Sequence, residues 1–304
     1  MRIMKKNLII LNPCSGKKKA NKYLTQIVDV FTHAGYMSTV LTTTQRGDGI
    51  LYAGKYGGKY DLITCIGGDG TFNEVVAGLM KKGHHTPLGY IPAGSTNDFA
   101  TSLNLSTDIV KAAKDIVRGE KIALDIGSFN GRTFSYVASF GAFTQTSYAT
   151  PQSIKNALGH LAYVLDGVTS LASIKKEHLS IEVDGQVYED DYIFGAISNS
   201  TSLAGIITLK PEYVDMNDGR FELLLVRSPR NILEITEIAN MLMTQNYDAS
   251  NVLTFIDGTE FKIHADKDMP WSLDGEYQEG SEEITVENLH SAVEIYINKG
   301  NSRA

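Results

Sequence analysis

The stretch Gly67-Gly68-Asp69-Gly70-Thr71-Phe72-Asn73-Glu74 lies between an apolar run and a helical pattern. Gly67, Gly68 and Gly70 have no Cβ, so the backbone can take positive φ and come close to a ligand. Where such a turn opens a helix, free N–H groups and the positive end of the helix dipole point at one spot, which suits a phosphate. Asp69 needs a different account. A carboxylate beside a polyphosphate is repelled unless a cation lies between them, so Asp69 points to Mg²⁺, met directly or through water. The plainer alternative is a tight strand–helix turn with an aspartate on its rim. Three glycines, a central acid and a capping pattern together favour the phosphate.

The elements around this turn can be read from periodicity. Asp61 to Ile66 is a short apolar run of the kind that forms a buried strand. Phe72, Val75, Val76 and Leu79 fall at i, i+3, i+4 and i+7, the apolar face of a helix. Thr71 and Glu74 have the form of a capping box, which places the helix start at Thr71, and Gly83 ends it. Upstream, Asn7 to Leu11 reads as a first strand. Asn12-Pro13-Cys14-Ser15-Gly16 and a basic run, Lys17 to Lys19, follow it. Ala20, Leu24, Ile27 and Phe31 then mark a helix face that stops at Gly35. The lysines leave two readings open. They form a solvated helix start, or they contact an anion that relieves their conflict with the dipole.

Met37 to Thr43 is a second strand, and Thr43 taken alone is a β-favouring surface residue. Leu88 to Ile91 is a fourth strand, running into Pro92-Ala93-Gly94-Ser95-Thr96-Asn97-Asp98-Phe99. Polar turns at strand ends gather at the carboxyl edge of an open parallel sheet, where ligands bind. Taken alone, Asn97-Asp98 is a helix cap. Ile109, Ala112, Ala113, Ile116 and Val117 give a further helix that ends at Gly119.

After Gly119 the pattern changes. Asn130-Gly131, between 122–129 and 132–139, and Asp184-Gly185, between 179–183 and 186–197, are hairpin signals. Helical stretches are expected near 153–173 and 232–244. Alternating strands and helices followed by mostly antiparallel strands imply two domains of different class, with the boundary near Gly127. Two polar clusters lie in the second half. Val214-Asp215-Met216-Asn217-Asp218-Gly219-Arg220-Phe221 reads as an acidic turn before a strand. Trp271-Ser272-Leu273-Asp274-Gly275-Glu276 reads as a hairpin tip with a solvated glutamate.

The chain has 304 residues, 42% of them hydrophobic and 21% charged, which suits two globular domains. A net charge of −7 argues against nucleic acid as a main partner and against a purely electrostatic membrane anchor. The two cysteines, Cys14 and Cys65, lack metal-ligand spacing, and reduced thiols point to the cytoplasm. The first residues lack a signal-peptide core, and no apolar run approaches the ~18 residues of a membrane span.

Neither a Walker A loop nor a Gly-x-Gly-x-x-Gly fingerprint is present. The Gly-Gly-Asp-Gly-Thr motif instead resembles the signature of diacylglycerol kinases, sphingosine kinases and their bacterial lipid-kinase relatives. NAD kinases share its core, and phosphofructokinases are more distant cousins. Asn12, Pro13, Ser15 and Gly16 match the family's Asn-Pro-x-Ser-Gly loop. The segment around Gly94 matches Pro-x-Gly-Thr-x-Asn-Asp, with Ser95 in place of threonine. Thr43 matches a nucleotide-contact threonine. The resemblance therefore implies a Rossmann-like α/β domain of the NAD kinase/phosphofructokinase type over 1–127, completed by the strand 292–304. A β-rich sandwich over 128–291 would hold a lipid. ATP would be bound by Asn12, Pro13, Ser15, Gly16, Thr43, Gly67, Gly68, Asp69, Gly70, Thr71, Asn73, Gly94 and Ser95.

In the resembling enzymes the Asp before glycine in an Asp-Asp-Gly motif, matched by Asp218, holds a structural Mg²⁺. Backbone carbonyls at the positions of Asp215 and Arg220 complete its protein ligands, and Asn217 replaces the first Asp of the pair. The family's Asp-Gly-Glu, matched at Asp274 to Glu276, assigns Glu276 as general base, and Asp98 would join the acidic network. The expected activity is transfer of the γ-phosphoryl group of ATP to a lipid's primary hydroxyl, with diacylglycerol giving phosphatidic acid. An NAD kinase-like enzyme and a non-catalytic nucleotide-sensing module are the alternatives. A water-insoluble substrate implies reversible association with the inner membrane face, with Lys155, Lys175 and Lys176 as candidate contacts. A homodimer stands among the assemblies open to the chain.

Overall fold

The computed structural model describes residues 4–298 and 300, except 17, 19, 142–174, 204–206, 248 and 249. The expected helix near 153–173 and Lys155 lie outside the described residues. The chain divides into two compact units. One comprises residues up to Ile126 and those from His290 on; the other is Gly127–Leu289.

The first unit alternates strands and helices: β1 (Lys5–Leu11), α1 (Ala20–His33), β2 (Tyr36–Thr42), α2 (Asp48–Tyr56), β3 (Leu62–Gly67), α3 (Asp69–Lys82), β4 (Leu88–Pro92), α4 (Asp98–Ser102) and α5 (Ile109–Arg118). The strands pair in parallel in the order β4-β3-β1-β2. Every residue of β3 and β4 is buried, as a strand covered on both faces requires. On one face Ile9, Leu11, Ile66 and Ile91 pack with Phe31 of α1 and Ile116 of α5. The parallel order sends the loops after β1, β2, β3 and β4 to the same edge of the sheet. That edge carries 12–16, 43–47, 68–71 and 93–98.

The helix after β3 starts two residues before Thr71. Its N-cap is Gly68, in extended conformation, and no side chain caps it. The expected capping box is therefore absent. Thr71 Oγ1 accepts from Asn12 Nδ2, and the Glu74 carboxylate is engaged on α2. Gly83 ends α3 as expected, at φ 62°, with its N–H donating to the carbonyls of Leu79 and Met80. Helix α2 had no signal that periodicity could separate from the loop around it.

The chain passes between units within β5 (Glu120–Phe129) and again within β17 (Glu283–Ile297), the last strand below. In the first unit, β17 lies parallel to β4 at Ile295 and Leu88. Buried Asp125 accepts from the Ser291 N–H at 2.7 Å and meets His290 Nδ1 at 2.9 Å, which holds the returning strand.

The second unit is mainly antiparallel: β6 (Arg132–Phe134), β7 (Val137–Gly141), β8 (Glu177–Val183), β9 (Gln186–Ser198), the short pair β10 (Ser202–Leu203) and β11 (Ile207–Thr208), β12 (Phe221–Arg227), α6 (Ile232–Thr244), β13 (Leu253–Gly258), β14 (Glu260–Ala265), β15 (Trp271–Leu273), β16 (Glu276–Gln278) and β17. The long β9 pairs with β8 along its first half and with β7 and β12 along its second. Trp271 lies between Phe129 and Phe140 in the core. Asn130-Gly131, Asp184-Gly185 and Asp274-Gly275 each close a two-residue hairpin with both φ positive, as a type I′ turn demands. The strand expected over 132–139 is broken at Ser135 and Tyr136, because their amides turn to Asp274 instead of a neighbouring strand.

Candidate functional site

In the first unit the loops that carry the motifs are tied to one another chiefly through backbone. Ala93 N–H donates to Gly67 O at 2.7 Å, and Asn12 N–H to Ile66 O at 2.9 Å. Thr43 N–H donates to Leu11 O at 2.9 Å. Asn12 links two loops: its Oδ1 accepts from Cys14 N–H and its Nδ2 donates to Thr71 Oγ1 at 3.0 Å. Pro13 O accepts from Asn21 Nδ2. Ser15 N–H closes a turn onto Asn12 O, and Gly16 takes φ 50° against the backbone of Ala93 and Gly94.

Gly68 and Gly94 meet face to face. A Cβ on Gly94 would lie 2.6 Å from the Gly68 Cα, so no other residue fits there without moving a loop. Asn97 holds the second loop from within, taking Gly94 N–H on its Oδ1 at 2.8 Å. Gly67 to Thr71, Gly94 and Ser95 thus stand at one sheet edge with Asn12 to Gly16 and Thr43. Asn73 lies buried on α3, while Ser95 is exposed. Lys18 is exposed, and Lys17 and Lys19 lie outside the described residues.

Asp69 and Asp98 are brought together. Asp69 Oδ2 accepts from Asp98 N–H at 3.0 Å, and Tyr90 Oη donates to Asp69 Oδ1 at 3.4 Å. Burial pushes the Asp69 carboxyl up to about 6, and the Asp98 charge adds to this. Hydrogen bonds from Asp98, Phe99 and Tyr90 oppose the shift without cancelling it. A half-buried acid beside a second acid, at the N-terminus of a helix, fits a positive charge better than it fits solvent.

The second unit carries the other two clusters. The Asp274-Gly275 hairpin is clamped: buried Asp274 accepts from Ser135 N–H at 2.6 Å, Tyr136 N–H at 3.0 Å and Val137 N–H at 3.1 Å. Glu276 follows on β16. It is not a freely solvated glutamate, because Arg132 Nη2 lies 3.0 Å from its Oε2, and Arg132 Nη1 also holds Tyr277 O and Gln278 Oε1. The carboxylate is therefore fixed in direction on a rigid hairpin.

In the acidic turn, Asp215 Oδ1 accepts from Asn217 N–H and Asp218 Oδ1 from Arg220 N–H. The Arg220 guanidinium is held by Asp257 and Asp184, which fixes the backbone at that position. Next to this turn, Glu222 is buried to 4% exposure and its Oε2 has no hydrogen-bond partner. Burial pushes its carboxyl up to about 9, with Asp218, Asp257 and Asp215 adding to the shift. An orphaned buried carboxyl oxygen among acids is what a hard divalent cation would relieve, and the donors are all oxygen. The site residues therefore fit Mg²⁺. No group of three or more His, Cys, Asp or Glu side chains that could hold a metal ion occurs among the described residues, so backbone carbonyls would have to complete such a shell.

Several of these residues carried no signal in the sequence. Arg132, Glu222 and Tyr90 stand in no motif; Arg132 and Tyr90 find their partners far along the chain, and Glu222 shows itself only through burial. Asp274 was visible only as half of a turn, although it holds the turn in place.

A family model for the diacylglycerol kinase catalytic domain matches residues 6–129, and one for the YegS C-terminal NAD kinase beta sandwich-like domain matches 137–297. A diacylglycerol kinase of Bacillus subtilis (strain 168) is 35% identical over 277 residues, covering 90% of each chain. The chain belongs to the diacylglycerol kinase family. Another member, from Staphylococcus carnosus (strain TM300), is 31% identical, with 97% of this chain and 96% of its own covered. A crystal structure ascribed to a diacylglycerol kinase from Bacillus anthracis str. Sterne superposes with a TM-score of 0.81 at 25% identity, covering 99% of both chains. The chain is thus a lipid kinase of the diacylglycerol kinase type, with an α/β domain of parallel strands followed by a β-sandwich-like domain. No helix among the described residues is long and apolar enough to cross a membrane.

Proposed function

We propose that the protein transfers the γ-phosphoryl group of ATP, in the presence of Mg²⁺, to the primary hydroxyl of diacylglycerol, giving phosphatidic acid. The observation that carries this reading is the meeting of loops 12–16, 67–71 and 93–98 at one sheet edge, with Asp69 and Asp98 in hydrogen-bond contact beside them. Phosphoryl transfer needs alignment and charge neutralisation more than covalent chemistry. Backbone N–H groups of the glycine turn would take the phosphates, and Thr43 would meet the nucleotide at the end of β2. Asp69 and Asp98 would face the cation on the nucleotide side. Asp218, with the carbonyls of Asp215 and Arg220, would hold a structural Mg²⁺. When bound, the metal supplies positive charge that offsets the phosphate oxygens.

Glu276 would accept the hydroxyl proton. A general base must be positioned within hydrogen-bond reach of the proton that it takes. Arg132 and the Asp274 clamp give Glu276 a fixed direction, which is what that role asks. Domains 1–127, with 292–304, and 128–291 would divide nucleotide and lipid between them.

A water-insoluble acceptor must be met at an interface, so reversible attachment to an inner membrane face belongs to the proposal. Lys175 and Lys176 are paired with Glu177 and Asp191, which weakens their claim as free cationic contacts. Leu233 and Met243 on α6 are 81% and 83% exposed and offer apolar side chains instead.

The likeness of the second domain to the NAD kinase β sandwich supports a second reading, phosphorylation of NAD. The decisive experiment offers labelled ATP with diacylglycerol, ceramide, a sphingoid base or phosphatidylglycerol in mixed micelles, and with NAD in parallel. Label in phosphatidic acid is expected. Label in NAD and in no lipid would replace the reading, and ATP binding without any transfer would favour a nucleotide-sensing module.

A further inference from the structure

Glu74 closes the glycine motif in sequence, yet its side chain neither caps α3 nor serves the turn that the motif builds. Its carboxylate reaches the start of α2. Oε1 accepts from Gly47 N–H at 2.7 Å, and Oε2 accepts from Gly49 N–H at 3.0 Å. Gly47 is the N-cap of α2, at φ 90°, and brings no side chain of its own. A glutamate from a neighbouring helix thus supplies the missing cap. It takes two otherwise orphan N–H groups and sets negative charge at the positive end of the dipole.

The fit is close enough to exclude alternatives. A Cβ on Gly49 would lie 2.8 Å from Glu74 Oε2, and a Cβ on Gly78, one turn along α3, would lie 2.5 Å from Ile50 O. Helices α2 and α3 therefore meet closely, with the Glu74 carboxylate packed against Gly49 and the Ile50 carbonyl against Gly78. The segment ahead of α2 is tied in from both sides. Asp48 Oδ2 accepts from Thr44 N–H, Thr44 Oγ1 and Gln45 N–H, which folds 44–48 into a closed turn. Thr43 N–H is held on Leu11 O at the end of β1.

We infer that Glu74 is a positioning residue that sets the loop 43–47 relative to the glycine turn, and through it the grip on the nucleoside part of the nucleotide. The inference rests on the kinase reading above. The geometry behind it is simple. The sheet order is β3-β1-β2, so the carboxyl end of β2 stands two strand spacings, roughly 10 Å, from the glycine turn after β3. Phosphates at the glycine turn leave the ribose and base to extend along the edge toward 43–47. Glu74 joins the two places in one step, because it leaves α3 on the turn after the phosphate loop and ends on the cap of α2. Its carboxylate makes charge-assisted bonds that an amide cannot reproduce, since one amide atom would turn a donor toward an N–H.

The test compares two probes, ATP and inorganic tripolyphosphate, in binding to the full chain by calorimetry. In Glu74→Gln, ATP affinity should fall about tenfold while tripolyphosphate affinity stays within twofold, and kcat at saturating ATP should fall less than threefold. Gly49→Ala, which pushes on the same carboxylate from the other side, should reproduce the split and covers the case in which Glu74→Gln does not fold. A loss of both affinities in proportion, or of neither, in a folded variant would overturn the inference. A parent protein that binds neither probe would overturn the kinase reading itself, and the inference with it.

Discussion

The loops of the first unit and the polar turns of the second are built on different principles. At the carboxyl edge of the parallel sheet, neighbouring loops hold one another by backbone bonds and by the contact of Gly68 with Gly94. In the second unit, charged side chains hold the turns. Asp274 gathers three amides, Arg132 holds Glu276, and Arg220 is fixed by Asp257 and Asp184. A backbone-built surface suits a ligand bound through its phosphates, whose charge is large and whose shape is constant. A side-chain-built hairpin suits a single group that must point one way. Side-chain deletions should therefore be felt as loss of fold or direction in the second unit and, the Glu74 cap on α2 apart, chiefly as altered electrostatics in the first.

The largest effect is expected at Asp274. Asp274→Ala leaves the amides of Ser135, Tyr136 and Val137 buried without their acceptor. Each charge-assisted bond of this kind is worth roughly 1.5–3 kcal/mol, with incomplete additivity. Chemical denaturation should show a loss of roughly 3–5 kcal/mol. A loss under 1 kcal/mol would mean that the hairpin is held by something else.

Asp69 sharpens the comparison through pH. Its carboxyl lies at about 6 in the folded protein against an ordinary 3.8, so the folded state binds that proton more tightly. The stability from this group is fully present at low pH, is lost as pH rises from 3.8 to about 6, and stays lost above. Asp69→Asn cannot ionise. Without nucleotide or metal it should be more stable than the parent above about pH 6, by up to roughly 3 kcal/mol, with the gain fading toward pH 3.8. Parallel stability–pH curves for the two proteins would contradict this.

Asp218 should give the smallest of these effects. If it is the charged side-chain ligand of a structural Mg²⁺, Asp218→Ala lowers the rate about tenfold at limiting Mg²⁺, roughly 1.4 kcal/mol, and excess Mg²⁺ restores part of it. The same Mg²⁺ dependence in parent and variant would remove the metal from this turn.

The same contrast decides what could be read without a structure. Each motif-bearing loop of the first unit is a contiguous stretch at a strand end, so strand periodicity and the glycine spacing placed residues such as Asp69 and Gly94 at one sheet edge. Helix α2 escaped, because its start is capped by Glu74 from another element. The same remote use of Glu74 made the capping-box reading fail. In the second unit the hairpins were legible because Asn-Gly and Asp-Gly pairs adopt positive φ cheaply. Their fastenings were not, since Asp274 reaches amides 137 to 139 residues away and Arg132 reaches Glu276 across 144. No local pattern encodes such pairs. Glu222 was hidden for a related reason: in sequence it is a polar residue near the start of an apolar strand, and only burial shows that its Oε2 has no hydrogen-bond partner.

The division of labour is tested most directly by Glu276→Gln, which keeps size and removes most of the basicity. Phosphatidic acid formation from ATP and diacylglycerol in mixed micelles, measured beside ATP binding, separates the two roles. A fall in kcat of about 10²- to 10⁴-fold is expected if Glu276 takes the hydroxyl proton, with ATP affinity unchanged within twofold. Near-normal kcat in the folded variant would contradict the account and return the hairpin to a structural role.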